Sequence, residues 1–313
     1  MRVLLALVLL VPLSGCEFIT SKIFEAYLEP GAPSAPDGVI AYRDQVYAKR
    51  GERELLLDVY APEEQVEAAL PVIVFLFGGA WEAGNRHQAV RFDLLDYATE
   101  GYIVITADYR YLTEAVYPAQ IDDVKTVLRW IRMNAESYGL DAERIGIIGP
   151  SAGGHLAALA GTANRPGELE VGGSPDVPSH VHAVVDYFGP TDFLQGDAYR
   201  TEDADSWNAA DSSVSRLIGA PIESAPEKVA LANPITFIDG SEPPFLIIHG
   251  DKDGLVPLHQ SQILHEALLA AGVSSELLVV KDGDHGYGGD FSEDEHAERV
   301  RAFFREHLRP EGA

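Results

Sequence analysis

A serine hydroxyl is a weak nucleophile at neutral pH. A chain that uses one must also supply a base to take its proton and an acid to orient that base. In this 313-residue sequence the serine that fits best is Ser151, in Gly149-Pro150-Ser151-Ala152-Gly153, a G-x-S-x-G pattern. It follows the short apolar run Ile145 to Ile148, which has the length and composition of a buried strand. It precedes the helix-forming run Leu156 to Ala160. A strand, a tight glycine-flanked turn and a helix together make a nucleophile elbow. Side chains at positions 149 and 153 are expected to crowd the projecting Oγ, so glycine is expected there. Ala152 opens the helix, where its N–H and the helix dipole favour developing negative charge.

Two later loops offer the partners. The strand-like run Phe245 to Ile248 enters His249-Gly250-Asp251-Lys252-Asp253-Gly254, and Glu276 to Val280 enters Asp282-Gly283-Asp284-His285-Gly286. Catalytic groups gather at the carboxyl ends of parallel strands, so both loops belong on the edge that carries Ser151. His285 is the candidate base. Asp251 and Asp253 both stand where the acid is needed, although an aspartate just after a strand and a glycine, as Asp251 is, commonly caps its own turn. Asp282 is read as a turn residue, and Asp284, next to His285 in sequence, as aimed elsewhere. His155 and His249 read as structural, and His87, His259, His265, His296 and His307 as surface residues of helices. His180 and His182 lack a third ligand at metal spacing, so no metal site is expected, and no cofactor.

The elements that must position these residues follow from hydrophobic patterning. Val39–Ala48 and Arg53–Tyr60 alternate as an antiparallel hairpin. Val72–Phe77 and Tyr102–Ala107 are continuously apolar, as strands covered on both faces are. His87–Thr99 suits a helix. Pro118 opens an amphipathic helix with Ile121, Val124, Leu128, Ile131 and Ala135 on one face. Further strands are expected at Ala183–Phe188 and at the two loop-bearing runs, with a helix at His259–Ala271. A capping box at Ser292–Glu295 predicts a last helix with Ala297, Val300, Phe303 and Phe304 inward. Strands alternating with helices imply an α/β domain, residues 39–313, with a mostly parallel, doubly wound sheet and helices on both faces. The polar, broken segment 194–227 reads as a small cap inserted over the active site.

Residues 1–15 read as a signal peptide: Met1-Arg2, then an apolar Val3–Val11 too short to span a bilayer. Leu13-Ser14-Gly15-Cys16 resembles the lipobox of bacterial lipoproteins, which implies lipidation of Cys16, the one cysteine of the chain. Residues 16–38, rich in Pro and Gly from Glu29 onward, read as a tether. Glu17, in place of an inner-membrane-retaining aspartate, implies an outer-membrane lipoprotein of the cell envelope. The net charge of −26, from 23 basic and 49 acidic residues, disfavours nucleic acid as a partner. The lipid anchor would make the membrane the partner instead.

Taken together, Asp108-Tyr109-Arg110, Trp130–Ala135, Gly139–Ile145, GPSAGGHLAAL, HGDKDGLVP and GDHG resemble the α/β-hydrolase esterases of the bacterial feruloyl/acetyl-xylan esterase and hormone-sensitive-lipase-like kind. The resemblance spans about Ala41 to Leu308, leaving the tether and the insertion unmatched. It implies an α/β-hydrolase fold, Asp253 rather than Asp251 as the acid, and an oxyanion hole formed by the N–H groups of Gly79, Ala80 and Ala152. It implies a serine esterase acting on short-chain or aryl esters, with acetyl or feruloyl groups on polysaccharide among them. Amide or peptide hydrolysis on the same triad, or a silent binding module, are the alternatives. The family's oxyanion loop usually begins with histidine, and here Phe77 stands in its place. Trp81, after that loop, is a candidate for lining the substrate pocket.

Overall fold

A computed structural model of the chain describes residues 29–64, 68–169, 176–201, 204–292 and 295–309. The signal peptide, Cys16 and the tether as far as residue 28 lie outside the described residues. So do residues 293–294 of the expected capping box.

Eight strands form one sheet in the order β1-β2-β4-β3-β5-β6-β7-β8. β1 (Val39–Arg50) and β2 (Arg53–Pro62) are the expected hairpin, and β2 runs antiparallel to β4 (Ile103–Ala107). From there every pairing is parallel, through β3 (Leu70–Leu76), β5 (Leu140–Pro150), β6 (Ala183–Tyr187), β7 (Phe245–Gly250) and β8 (Ser275–Val280). The central strands β4, β6 and β7 are buried at every residue and are accordingly mostly apolar, with Thr106, Asp186 and His249 as the polar side chains among them.

Helices cover both faces. α1 (Ala119–Met133) turns Ile121, Val124, Leu128 and Ile131 into the core, and a single turn, α2 (Ala135–Tyr138), follows it. α3 (Ala152–Thr162) is buried along its whole length, which its Ala- and Gly-rich sequence permits. In the second half of the chain come α4 (Gly196–Tyr199), α5 (Ser213–Ile218), α6 (Pro226–Ala232), α7 (His259–Ala270) and α8 (Glu295–Leu308). α8 buries Val300, Phe303 and Phe304 but leaves Ala297 only half-buried.

Three expectations need correction. The segment 87–99 is not one α-helix but two 3₁₀ stretches, Arg86–Phe92 and Leu94–Ala98, broken at Asp93 in a left-handed conformation (φ 50°). Residues 29–38 do not stand free of the domain. Pro30 O meets Asn85 Nδ2 at 3.2 Å and the His87 ring at 3.3 Å, and Pro33 O accepts from Arg43. Finally, the polar composition of 194–227 hides an apolar interior: Trp207, Val214, Leu217, Ile218 and Ile222 are buried. That segment flanks the loop after β3, with Arg216 paired to Glu82 at 2.5 Å, and Phe193, just before it, packs edge-on to Trp81.

Candidate active site

Ser151 sits between the end of β5 and the start of α3 with φ 53° and ψ −120°, a backbone state that side-chain-bearing residues rarely adopt. The turn is held at both ends, by Ser151 N–H to Tyr187 O and His155 N–H to Ser151 O, each 2.8 Å. The flanking glycines are required for a different reason than the one expected. A Cβ on Gly153 would meet Leu76 O at 2.2 Å and Phe77 O at 2.6 Å. One on Gly149 would meet Gly153 C at 2.5 Å and Leu76 O at 2.6 Å. Glycine lets the elbow helix touch the backbone of β3; it does not clear space around Oγ.

The two later loops bring their residues to the same edge. His285 Nε2 lies 2.9 Å from Ser151 Oγ, and His285 Nδ1 lies 2.7 Å from Asp253 Oδ2. Asp253, 7% exposed, receives more than His285. Its Oδ1 accepts the N–H groups of Leu255 (2.9 Å) and Val256 (2.8 Å), and Oδ2 lies 3.2 Å from His249 Nε2. Burial pushes this carboxyl up. The charges and donors of His285 and His249 outweigh it and hold Asp253 well below the ordinary carboxylate range. The turn-capping aspartate is therefore Asp253, whose other oxygen faces the histidine, and not Asp251.

Two neighbours were not legible as part of this site. His249 is more than a strand-end packing residue. Its Nδ1 meets Ser261 Oγ at 2.6 Å, and its Nε2, 2.8 Å from Val256 O, also faces Asp253. Phe188, at the end of β6 with φ 44°, lays its ring 4.5 Å from the His285 ring. Asp284, next to His285 in sequence, bonds to the two loops themselves. It accepts from Gly254 N–H at 3.1 Å and Tyr287 OH at 2.9 Å, joining the acid loop to the base loop.

In the loop after β3, Gly79 (φ 130°), Ala80 (φ 52°) and Trp81 (φ 59°) are consecutive positive-φ residues, a backbone path that Ala and Trp rarely adopt. Phe77 is buried, stacked on Tyr109 at 4.1 Å and 6°, with its carbonyl accepting the Tyr109 hydroxyl at 2.8 Å. Trp81, the candidate for lining the substrate pocket, is a largely buried residue of this loop. It is 3% exposed and packs edge-on to His155 and Phe193 beneath the loop.

The remaining histidines depart from the surface expectation. His87 approaches Asp58 at 3.4 Å, His259 stacks on Tyr199 at 3.5 Å, and His265 bonds Ser275 Oγ at 2.9 Å. His296 packs on Phe291 and His307 on Phe303. His155 is buried and bonded to Ala232 O at 2.7 Å, and burial takes it down to about 4. The fold also supplies what His180 and His182 lacked. Glu143 brings a carboxylate that closes a three-residue group within 4.8 Å. Its chemistry is nevertheless poor for a metal. His182 Nδ1 accepts the Ile145 N–H at 3.1 Å, which puts the ring proton on Nε2, whereas a ligating imidazole donates from one nitrogen and leaves the other bare.

Residues 57–268 match the BD-FAE family. The chain belongs to that family. Among curated relatives, esterase LipC of Mycobacterium tuberculosis is 33% identical over 262 residues, covering 80% of this chain and 62% of LipC. The probable carboxylic ester hydrolase LipM of the same organism is 30% identical, covering 73% of this chain and 50% of LipM. The chain thus spans between half and two thirds of the length of these relatives. A solved truncated form of a carbohydrate esterase from gut microbiota superposes with a TM-score of 0.76 at 34% identity, covering 88% of this chain and 99% of that one. A thermophilic esterase of Thermogutta terrifontis gives a TM-score of 0.71 at 27% identity, covering 90% of this chain and 97% of that one. The fold is the α/β-hydrolase fold.

Proposed function

We propose that the chain is a serine carboxylesterase that cleaves short-chain or aryl esters through an acyl-enzyme. His285 takes the Ser151 proton, and Ser151 Oγ attacks the ester carbonyl. The N–H groups of Gly79, Ala80 and Ala152 hold the oxyanion, and Asp253 keeps Nδ1–H of His285 oriented and stabilises the imidazolium. The alcohol leaves with the proton from His285, and water, activated by the same base, releases the acid. The observation that carries this reading is the relay of 2.9 Å and 2.7 Å contacts from Ser151 through His285 to Asp253.

Acyl groups on polysaccharide, acetyl or feruloyl, are the substrate class we favour. The support is the likeness to a protein described as a carbohydrate esterase. We further propose that Cys16 carries a lipid anchor and holds the domain at the outer membrane. Among the described residues no helix is long and apolar enough to cross a membrane.

The test is hydrolysis of p-nitrophenyl acetate, butyrate and decanoate by protein starting after Cys16, beside Ser151→Ala. Turnover of the short esters that disappears in the variant, together with fluorophosphonate labelling of Ser151, is the expected result. Activity that survives in Ser151→Ala would overturn the assignment.

A further inference from the structure

An oxyanion hole works only if its donors are aimed before the reaction starts, and the peptide plane makes that aim traceable. A backbone N–H belongs to the same rigid plane as the carbonyl of the residue before it. Whatever grips that carbonyl therefore sets the direction of the N–H. The argument rests on the esterase reading above, with Gly79, Ala80 and Ala152 as donors.

Two of the three planes are held by backbone. Ser151 O, which shares a plane with Ala152 N–H, accepts from His155 N–H at 2.8 Å. Gly79 O, which shares a plane with Ala80 N–H, accepts from Glu82 and Ala83 N–H, each at 3.0 Å. The third plane joins Gly78 O to Gly79 N–H, and it is held by a side chain. Gln88 Nε2 donates to Gly78 O at 3.2 Å, and Gln88 Oε1 accepts Gly78 N–H at 3.1 Å. Both polar groups of Gly78 are thus engaged by one amide.

That amide is well placed to hold still. Gln88 is 4% exposed, on the 3₁₀ stretch Arg86–Phe92. The start of that stretch is fixed by Asn85 Oδ1 accepting His87 N–H at 3.0 Å. Arg86 adds contacts to Asp58 at 3.1 Å and Asp108 at 2.6 Å. Phe77, where the resembling esterases carry a bracing histidine, offers no side-chain hydrogen bond. We infer that Gln88 is the positioning residue that aims Gly79 N–H, supplying from the following helical stretch the brace that Phe77 cannot.

The test compares wild type with Gln88→Met, which keeps the length and packing of the side chain and removes both hydrogen bonds. For p-nitrophenyl butyrate we expect kcat to fall ten- to a hundredfold, with KM within about threefold of wild type; a single oxyanion donor contributes about a hundredfold or more. The inhibition constant of a trifluoromethyl ketone, whose serine adduct carries the oxyanion, should rise by the same factor as kcat falls. Gln88→Glu, which keeps an acceptor for Gly78 N–H but sets a carboxylate against Gly78 O, serves if the methionine variant does not fold, and should also lose kcat. Unchanged kcat in either folded variant would overturn the inference. So would a loss of activity with no change in ketone affinity, which would mean a structural role only. Wild-type turnover that survives in Ser151→Ala would remove the esterase reading itself, an outcome separate from any Gln88 result.

Discussion

Asp186 is an acid placed where it should not be ionised. It lies within β6 under the elbow helix and is fully buried. Oδ1 accepts Gly189 N–H at 2.9 Å, and Oδ2 has no hydrogen-bond partner among the described residues. Burial pushes its carboxyl up to about 7, only partly offset by that one N–H. A raised acid costs stability as pH rises. Below the unfolded value, about 3.8, both states are protonated and Asp186 contributes nothing. Between about 4 and 7 the unfolded chain releases the proton while the folded chain keeps it, so the folded state loses ground. Above 7 the loss levels off. Linkage puts the difference between pH 4.5 and pH 8 at about 3 kcal/mol. Asp186→Asn keeps an oxygen for Gly189 N–H and cannot ionise. Urea unfolding of both proteins at the two pH values should therefore show the variant gaining about 3 kcal/mol on wild type from pH 4.5 to pH 8. Any fixed cost of the amide's own unpaired donor cancels in that difference. If the gap between the two proteins is the same at both pH values, Asp186 is not held neutral by burial and the reasoning fails.

Other perturbations follow from the same geometry. Asp253→Asn should cut kcat by about 10³ to 10⁴ with little change in KM, because an amide there no longer selects the tautomer with the proton on His285 Nδ1; steady-state kinetics decide it. Trp81→Phe should leave the ratio of acetate to butyrate turnover as in wild type, since Trp81 is a packing residue; a changed ratio would restore it to the pocket. Gly153→Ala should cost several kcal/mol or prevent folding, given a Cβ 2.2 Å from Leu76 O; thermal unfolding reads this directly. Arg86→Met should destabilise by about 1.5–3 kcal/mol at pH 7, because it removes the charged donor from the fully buried Asp58 and the half-buried Asp108. In wild type, burial of Asp58 is outweighed by His87, the Asp44 N–H and Arg86, which hold its carboxyl down to about 2. Its part of the effect should therefore shrink as pH falls from about 4 towards 2.

The sheet was legible because its signal is local. β3, β4 and β7 are covered on both faces, so each shows itself as an apolar run, and the hairpin β1–β2 shows itself by alternation. The 87–99 segment reads as one helix because it joins two buried strands, as helices commonly do in such a sheet. What the chain needs there is a tight 3₁₀ path that sets Gln88 against Gly78 and Arg86 against Asp58, and neither contact leaves a periodic trace. The insertion failed in the opposite direction. Its few apolar residues are scattered among polar ones, yet short helices gather Trp207, Val214, Leu217 and Ile222 into one interior.

At the site, residues whose chemistry is carried by their own side chain were found from their loops, while residues that act through position were not. Ser151 and His285 stand at strand ends with turn glycines beside them, and a reader of the sequence can place them on one sheet edge. Asp253 could be separated from Asp251 only by resemblance, since both are aspartates of one loop. The distinction is made by which one caps Leu255 and Val256 while facing two histidines. Phe188 and Gln88 carry no motif at all, and His249, though it opens HGDKDGLVP, reads there only as the end of a strand. Their contribution is a contact that the folded loops create, Gln88 with Gly78, His249 with Asp253 and Phe188 with His285, and no local pattern announces it. The same limit explains Phe77. Read alone it is a missing histidine, but in the folded chain its ring stacks on Tyr109, and the task left undone passes to a glutamine on the next helical stretch.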